Sequence, residues 1–266
     1  MNIPDDKTLG QPQNTVASVI VLERFGRLLF SLAIIGIGVE TLICASGHKV
    51  VPVIPWLPAI PSLVYPVGAI FILCGVSLLF QRNVVLSSIT LGVVMLLCGL
   101  AFDVPRHLNL MSAEWRTNVL EPIVIGSLAW RAAGGIPGWL HRTSRYLLAF
   151  ALIVFGIGHF QVLTFIAGMV PSWIPWHQFW TVFFGVAFVA AGTSFATGCR
   201  QRWAAFGVGL MFAVWTLTIH LPSLLGATHD PDKWSDVFIV VAFWGGFWAV
   251  ARDRKDLNLG ADSTLA

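Results

Sequence analysis

Apolar runs of membrane-spanning length recur along this chain, separated by short polar segments rich in arginine, proline and tryptophan. That pattern constrains the fold more than any motif does. A hydrocarbon layer of about 30 Å takes about 20 helical residues to cross. Runs of that length, or nearly so, lie at Leu28–Cys44, Pro66–Phe80, Val84–Phe102 and Val119–Ala132, then at Tyr146–Ala167, Phe179–Thr197, Trp203–Leu221 and Val237–Ala251. Backbone amides in lipid must be satisfied within the segment or around a closed barrel, and no run alternates with a two-residue period. The expectation is an all-α membrane protein with eight transmembrane helices.

Composition agrees, because 56% of residues are hydrophobic and only 11% are charged, against about one quarter charged in soluble domains. The net charge of +3 is not gathered into a basic arm or groove, so nucleic acid is excluded as a partner and the bilayer takes that place. Met1 to Gln13 is polar and carries Asp5 and Asp6, unlike the basic start of a secretory signal, so the first apolar run is expected to be a retained span. Cys44, Cys74, Cys98 and Cys199 form no Cys-x-x-Cys pair, and three of them lie inside apolar runs, where they read as small buried hydrophobes.

Lys and Arg accumulate on the untranslocated side of a membrane protein. With eight spans, Lys7, Arg24, Arg27, Arg82, Arg131, Arg142, Arg145, Arg200, Arg202, Arg252, Arg254 and Lys255 fall on one side, and only Lys49, Arg106, Arg116 and Lys233 on the other. Twelve against four places both termini in the cytoplasm and the chain in the inner membrane. Trp56, Trp115, Trp173, Trp176 and Trp234 then mark the outer boundary, where the amphipathic indole prefers the headgroup level. Glycines within the spans, such as Gly68 and Gly92, read as packing positions.

The chain also repeats itself. Gly36-Ile37-Gly38 aligns with Gly156-Ile157-Gly158 and Ile54-Pro55-Trp56 with Ile174-Pro175-Trp176 at an offset of 120 residues. At an offset of 117, Gly68 aligns with Gly185, Gly75 with Gly192, Ser77 with Ser194, Gly92 with Gly209 and Pro105 with Pro222. Four spans per half put both halves the same way up, as parallel four-helix repeats about an axis along the membrane normal. The expected segments are a cytoplasmic N-terminal stretch 1–27, a first repeat 28–133, a cytoplasmic linker 134–145, a second repeat 146–251 and a cytoplasmic tail 252–266.

The run Gly156-Ile157-Gly158-His159-Phe160, the segment Val170-Pro171-Ser172-Trp173-Ile174-Pro175, Phe179-Trp180 with Gly185 and Gly192, His220-Leu221-Pro222 and Trp234 together resemble a DoxX-like membrane protein. The four-helix unit is similar to the DoxX/DoxD group over nearly the whole chain, more closely in the second half. Some members of that group are associated with thiol or thiosulfate oxidation and quinone reduction. The resemblance therefore implies an accessory or anchoring membrane subunit of a redox or quinone-linked assembly, with a redox partner protein or a second copy of the chain as its companion. The first half departs from the pattern, with Val39 opposite His159 and Asp103 opposite His220.

Ionisable residues in spans cost roughly 2.5–3.5 kcal/mol at the helix centre and are by default functional or paired. The candidates are Glu40, Asp103, His159, Gln161 and His220, with Glu121 and Asp236 reading more simply as carboxylates near helix N-termini. At about 1.5 Å rise per residue, all lie toward the outer side, beneath the segments Pro52–Pro61 and Pro171–Trp176. Three readings stay open: polar groups that bond one another and fix helix register, an outward-facing pocket for protons, a quinone headgroup or a small anion, or a His159 and His220 pair ligating a metal or haem. No catalytic triad order, P-loop, dinucleotide fingerprint or zinc-ligand spacing is present, so no autonomous enzyme is expected. A small-solute channel or carrier and a structural or assembly factor stand beside the redox-linked subunit as function classes.

Overall fold

The structure, a computed structural model, describes residues 11–45, 57, 60–103 and 113–251, with side chains at 20–43, 57, 60, 62–100 and 119–251. Every regular element among them is helical: α1 (Gln11–Ala45), α2 (Pro61–Leu79), α3 (Val84–Leu97), α4 (Ala113–Ala132), α5 (Gly138–Gln161), α6 (Leu163–Met169), α7 (His177–Thr197), α8 (Gln201–Trp215), α9 (Leu221–Gly226) and α10 (Pro231–Ala249). Two π-helical segments continue α3 and α8, at Cys98–Asp103 and Thr216–His220.

Five helices are long and apolar enough to cross a membrane, at Ile20–Ile43, Ser62–Leu79, Gly138–Gln161, His177–Thr197 and Gln201–Gly226, with a shorter apolar helix at Val84–Leu100. The molecule is a helical membrane protein. Its outer helices turn large apolar side chains outward, as with Tyr65 and Leu73 on α2 and Phe183 and Val186 on α7, the signature of a helix bathed in lipid. α4 and α10 fall outside those five and carry charges, Glu114, Arg116, Glu121 and Arg131 on one and Asp232, Lys233 and Asp236 on the other. They are also well shielded, with no exposed side chain at 119–133 or 237–251. Val119, Leu120 and Ile123 to Trp130 are buried on α4, and Ala242, Phe243 and Gly245 to Phe247 on α10. The two pack against each other, with α1 and α8 against α10 and α3 and α5 against α4.

The first helix begins well before the apolar run at Leu28. Ile20, Val21 and Leu22 extend the apolar stretch backwards, and Glu23 pairs with Arg27 at 3.1 Å, one turn apart, so that two charges enter the helix as a neutralised pair. The linker at 134–145 is likewise partly α5, and Ala133 and Ile136 are buried with Trp130 and Leu140.

Close helix contacts recur at related positions in the two halves. A methyl group added at Gly38 would meet the Gly68 carbonyl oxygen at 2.9 Å, and one at Gly156 would meet that of Gly185 at 2.7 Å. Trp130 Nε1 donates to the Ile89 carbonyl at 3.4 Å, and Trp248 Nε1 to that of Phe206 at 3.3 Å. Ser77 Oγ donates to the Arg82 carbonyl and Ser194 Oγ to that of Cys199, each closing the turn into the next helix. In α1 and α5 the packing register is an offset of 118 residues, so Gly38, not Gly36, takes the place of Gly156. Gly36 packs instead against the Phe238 ring on α10.

Candidate ligand-binding site

Helix α5 stops at Gln161, where Val162 leaves the helical region at φ −117° and ψ 38°, and the short α6 follows. Pro171 and Pro175 keep the next stretch out of helix. Trp176, in the left-handed region at φ 60°, turns the chain into α7, and Trp180 Nε1 donates back to the Pro175 carbonyl at 3.0 Å. Opposite this cap, α8 widens into its π segment. Pro222 lacks an amide for the Thr218 carbonyl and would clash with it in a regular α-turn, and the wider π turn relieves that conflict.

Between these elements lies a cavity of about 200 Å³. Ile166, Met169, Ile174, Phe184 and Trp215 supply apolar wall. Its hydroxyls are already bonded to backbone, Thr181 Oγ1 donating to the His177 carbonyl at 3.1 Å and Thr218 Oγ1 to that of Val214 at 2.7 Å. Among the described residues His220 is the one ionisable side chain in the lining.

His159 stands behind the wall. Its ring stacks on Trp215 at 5.9 Å and 19° and lies 5.2 Å from Phe188, and its Nδ1 is 2.8 Å from the Phe155 carbonyl. A carbonyl only accepts, so Nδ1 carries the proton. Nε2 is buried without a hydrogen-bond partner among the described residues. The corresponding residue of α1 is Thr41, whose Oγ1 donates to the Ile37 carbonyl at 2.7 Å in the same i to i−4 pattern.

A second polar group assembles on the first turns of α10. Ser235 Oγ donates to Glu40 Oε1, joining α10 to α1 across the buried interior. Glu40 is 5% exposed, and its Oε2 has no hydrogen-bond partner among the described residues. Asp232 and Asp236 are within electrostatic reach of Glu40, and Asp236 is within reach of both Glu121 and His220. Lys233 Nζ sits 4.0 Å from Asp236 Oδ2.

Of the expected candidates, Glu40 and His220 are therefore linked through Ser235 and Asp236, whereas His159 belongs to the aromatic wall. Gln161 is exposed at the end of α5. The Asp103 side chain lies outside the described residues, though its backbone ends the first π segment as His220 ends the second. Ser235 is the member of this cluster that sequence reasoning misses, since a serine near a helix start signals nothing until α1 packs on α10. Asp236, read as a plain N-terminal carboxylate, proves to be the junction of the cluster. Among the described residues no group of three or more His, Cys, Asp or Glu side chains is placed to hold a metal ion.

A family model described as a domain of unknown function (DUF8561) matches residues 148–241, the stretch from α5 into α10 that includes the cavity, His159, His220 and Asp236. No curated protein and no solved structure matches the chain.

Proposed function

We propose that the chain is an eight-span inner-membrane protein of DoxX-like type, two parallel four-helix repeats with cytoplasmic termini, whose second repeat holds the ring of a quinone-type molecule for a redox-linked membrane assembly. The observation that carries the ligand is the cavity itself, a small aromatic-walled space with one imidazole at its rim. An apolar cavity of about 150 Å³ accommodates benzene, so about 200 Å³ suits a substituted ring whose tail remains in lipid. His220 would face a ring carbonyl, and Asp236 beside it offers a partner for the proton that accompanies reduction.

The eight-span reading is supported by the shielding of α4 and α10, since a helix enclosed by protein tolerates charges that a lipid-facing helix does not. The recurring contacts at offsets of 117 and 118 residues support parallel repeats. Cys199 is exposed on the turn before α8, so a membrane-impermeant maleimide should modify it only in inside-out vesicles. Modification from the outer side would sink the orientation.

Tryptophan fluorescence tests the ligand, because Trp180 and Trp215 border the cavity. A short-tailed ubiquinone analogue should quench it saturably. Thr218→Phe, which fills the cavity, should abolish saturation, whereas Leu217→Phe, on an exposed side chain one residue away, should not. Linear, unsaturable quenching in all three proteins would dispose of the quinone site. An assembly role without ligand draws on the buried Ser235 to Glu40 bond, which ties the first and last helices together.

A further inference from the structure

At the opposite end of the bundle from the aromatic cavity, the last turn of α4, the starts of α5 and α8 and the end of α10 enclose a polar cavity of about 510 Å³. Arg131, Arg200, Arg202, His141 and Gln201 line it together with Glu23. Among the described residues three guanidiniums and one carboxylate line the cavity, and that carboxylate also pairs with Arg27. The cationic planes are fixed from behind. Arg131 lies 5.6 Å over the Phe195 ring and donates through Nη2 to Gln201 Oε1, and Arg202 lies 5.5 Å over Trp203. His141 Nδ1 is 3.4 Å from Arg131 Nη1. The N-terminus of α8 opens on the same space and adds its positive dipole end.

A bias of positive charge toward one membrane face explains arginines on this side of the molecule, but not three of them on the walls of one cavity. The related cavity of the first half makes the contrast. It measures about 250 Å³ and is lined by Arg27 with Gln81, Ser31 and Ser88. Where its turn carries Asn83 in the left-handed region, at φ 49°, the second half carries Arg200, at φ 52°. The shared fold therefore does not require the basic lining.

We propose that this cavity binds the phosphate of an anionic ligand, with Arg200 and Arg202 as its clamp and Arg131 as its floor. Planar guanidiniums match phosphate oxygens two at a time, and basic pockets between transmembrane helices at the cytoplasmic surface are suited to lipid headgroups. A phospholipid headgroup and a soluble phosphate compound share this chemistry, and the test separates them.

The experiment uses the full-length protein purified in an uncharged detergent. Its thermal midpoint is followed with added phosphatidylglycerol, phosphatidylcholine or inorganic phosphate, beside the double variant Arg200→Asn, Arg202→Gln. Phosphatidylglycerol at about 100 times its dissociation constant should raise the midpoint by about 5 °C or more, phosphatidylcholine should not, and the variant should lose most of the rise. A rise with inorganic phosphate equal to that with phosphatidylglycerol, again lost in the variant, would support the same site with a soluble ligand. No rise with either, or an equal rise in wild type and variant, would overturn the proposal. Should the variant not fold, native mass spectrometry of the wild-type protein decides. Phosphatidylglycerol retained over phosphatidylcholine supports the site, and equal retention overturns it.

Discussion

At positions related by 117 residues, the first half of the molecule presents Val67, Phe71, Met95 and Cys98 where the second presents Phe184, Phe188, Phe212 and Trp215. The frames around them match in their glycine contacts, their tryptophan hydrogen bonds and their serine-closed turns. The contents do not. In the second half Phe188, Phe212 and Trp215 meet at ring separations of 5.4–6.0 Å, and His159 joins them. Of the four first-half side chains only Phe71 is a ring, and Val67, Met95 and Cys98 stand where the second half has Phe184, Phe212 and Trp215. Similar contacts thus surround an aromatic-walled cavity in the second half and a less aromatic interior in the first.

The sharpest break in that comparison is Trp215→Ala. It removes ring contacts with His159, Phe184, Phe188 and Phe212 at once, and burying no replacement should cost about 3–5 kcal/mol. Cys98→Ala, at the related position, should cost no more than about 1 kcal/mol. Denaturant unfolding in detergent measures both. Equal losses would mean that the aromatic cluster is no more than ordinary packing.

The next effect probes the shared frame. Gly38→Ala and Gly156→Ala each drive a methyl group into the backbone of the neighbouring helix, and overpacking of this kind costs about 1–3 kcal/mol. The two losses should agree within about 0.5 kcal/mol. A large loss at one site alone would show that α1 and α5 are not held alike.

Much of this frame is legible in the sequence because lipid imposes simple rules. Apolar runs depend on single residues in one solvent, and five of them are helices long and apolar enough to cross a membrane. The sequence also marks the glycines that make close helix contacts, but not which of those in α1 makes which contact. Gly36 and Gly38 sit two residues apart, and only the packing partner, Phe238 for one and Gly68 for the other, distinguishes them. The break at Val162 and the two π segments escaped for a related reason, since hydropathy runs on through both. The pairing of Glu40 with Ser235 spans 195 residues and depends on α1 closing against α10, which no local pattern encodes.

That pairing yields a smaller effect. Glu40→Gln keeps an oxygen acceptor for Ser235 while removing the acid among Asp232 and Asp236. Stability should change by less than about 1 kcal/mol, because the bond survives and a buried charge is no longer at stake. Such a result fits a contact that needs a bond and not a charge. A loss above about 2 kcal/mol would give Glu40 an ionic task and bring the two halves closer in function.

The smallest expected effect lies in the turns that enter α3 and α8. Asn83 and Arg200 both occupy the left-handed region, at φ 49° and φ 52°. Asparagine tolerates it through its short polar side chain, whereas a longer side chain meets the following carbonyl at a cost of about 1 kcal/mol. Arg200→Asn should therefore stabilise the lipid-free protein by about 0.5 kcal/mol, and Asn83→Arg should destabilise it by a similar amount. Paired thermal scans in uncharged detergent resolve a difference of opposite sign even where each shift is only about 1–2 °C. If Arg200→Asn instead lowers the midpoint without lipid, the guanidinium is holding the turn together, and its place in the cavity follows from folding alone. If stability rises while binding of phosphatidylglycerol falls, the arginine is kept at a position that suits asparagine better, and the strain at that turn is explained by what the cavity holds.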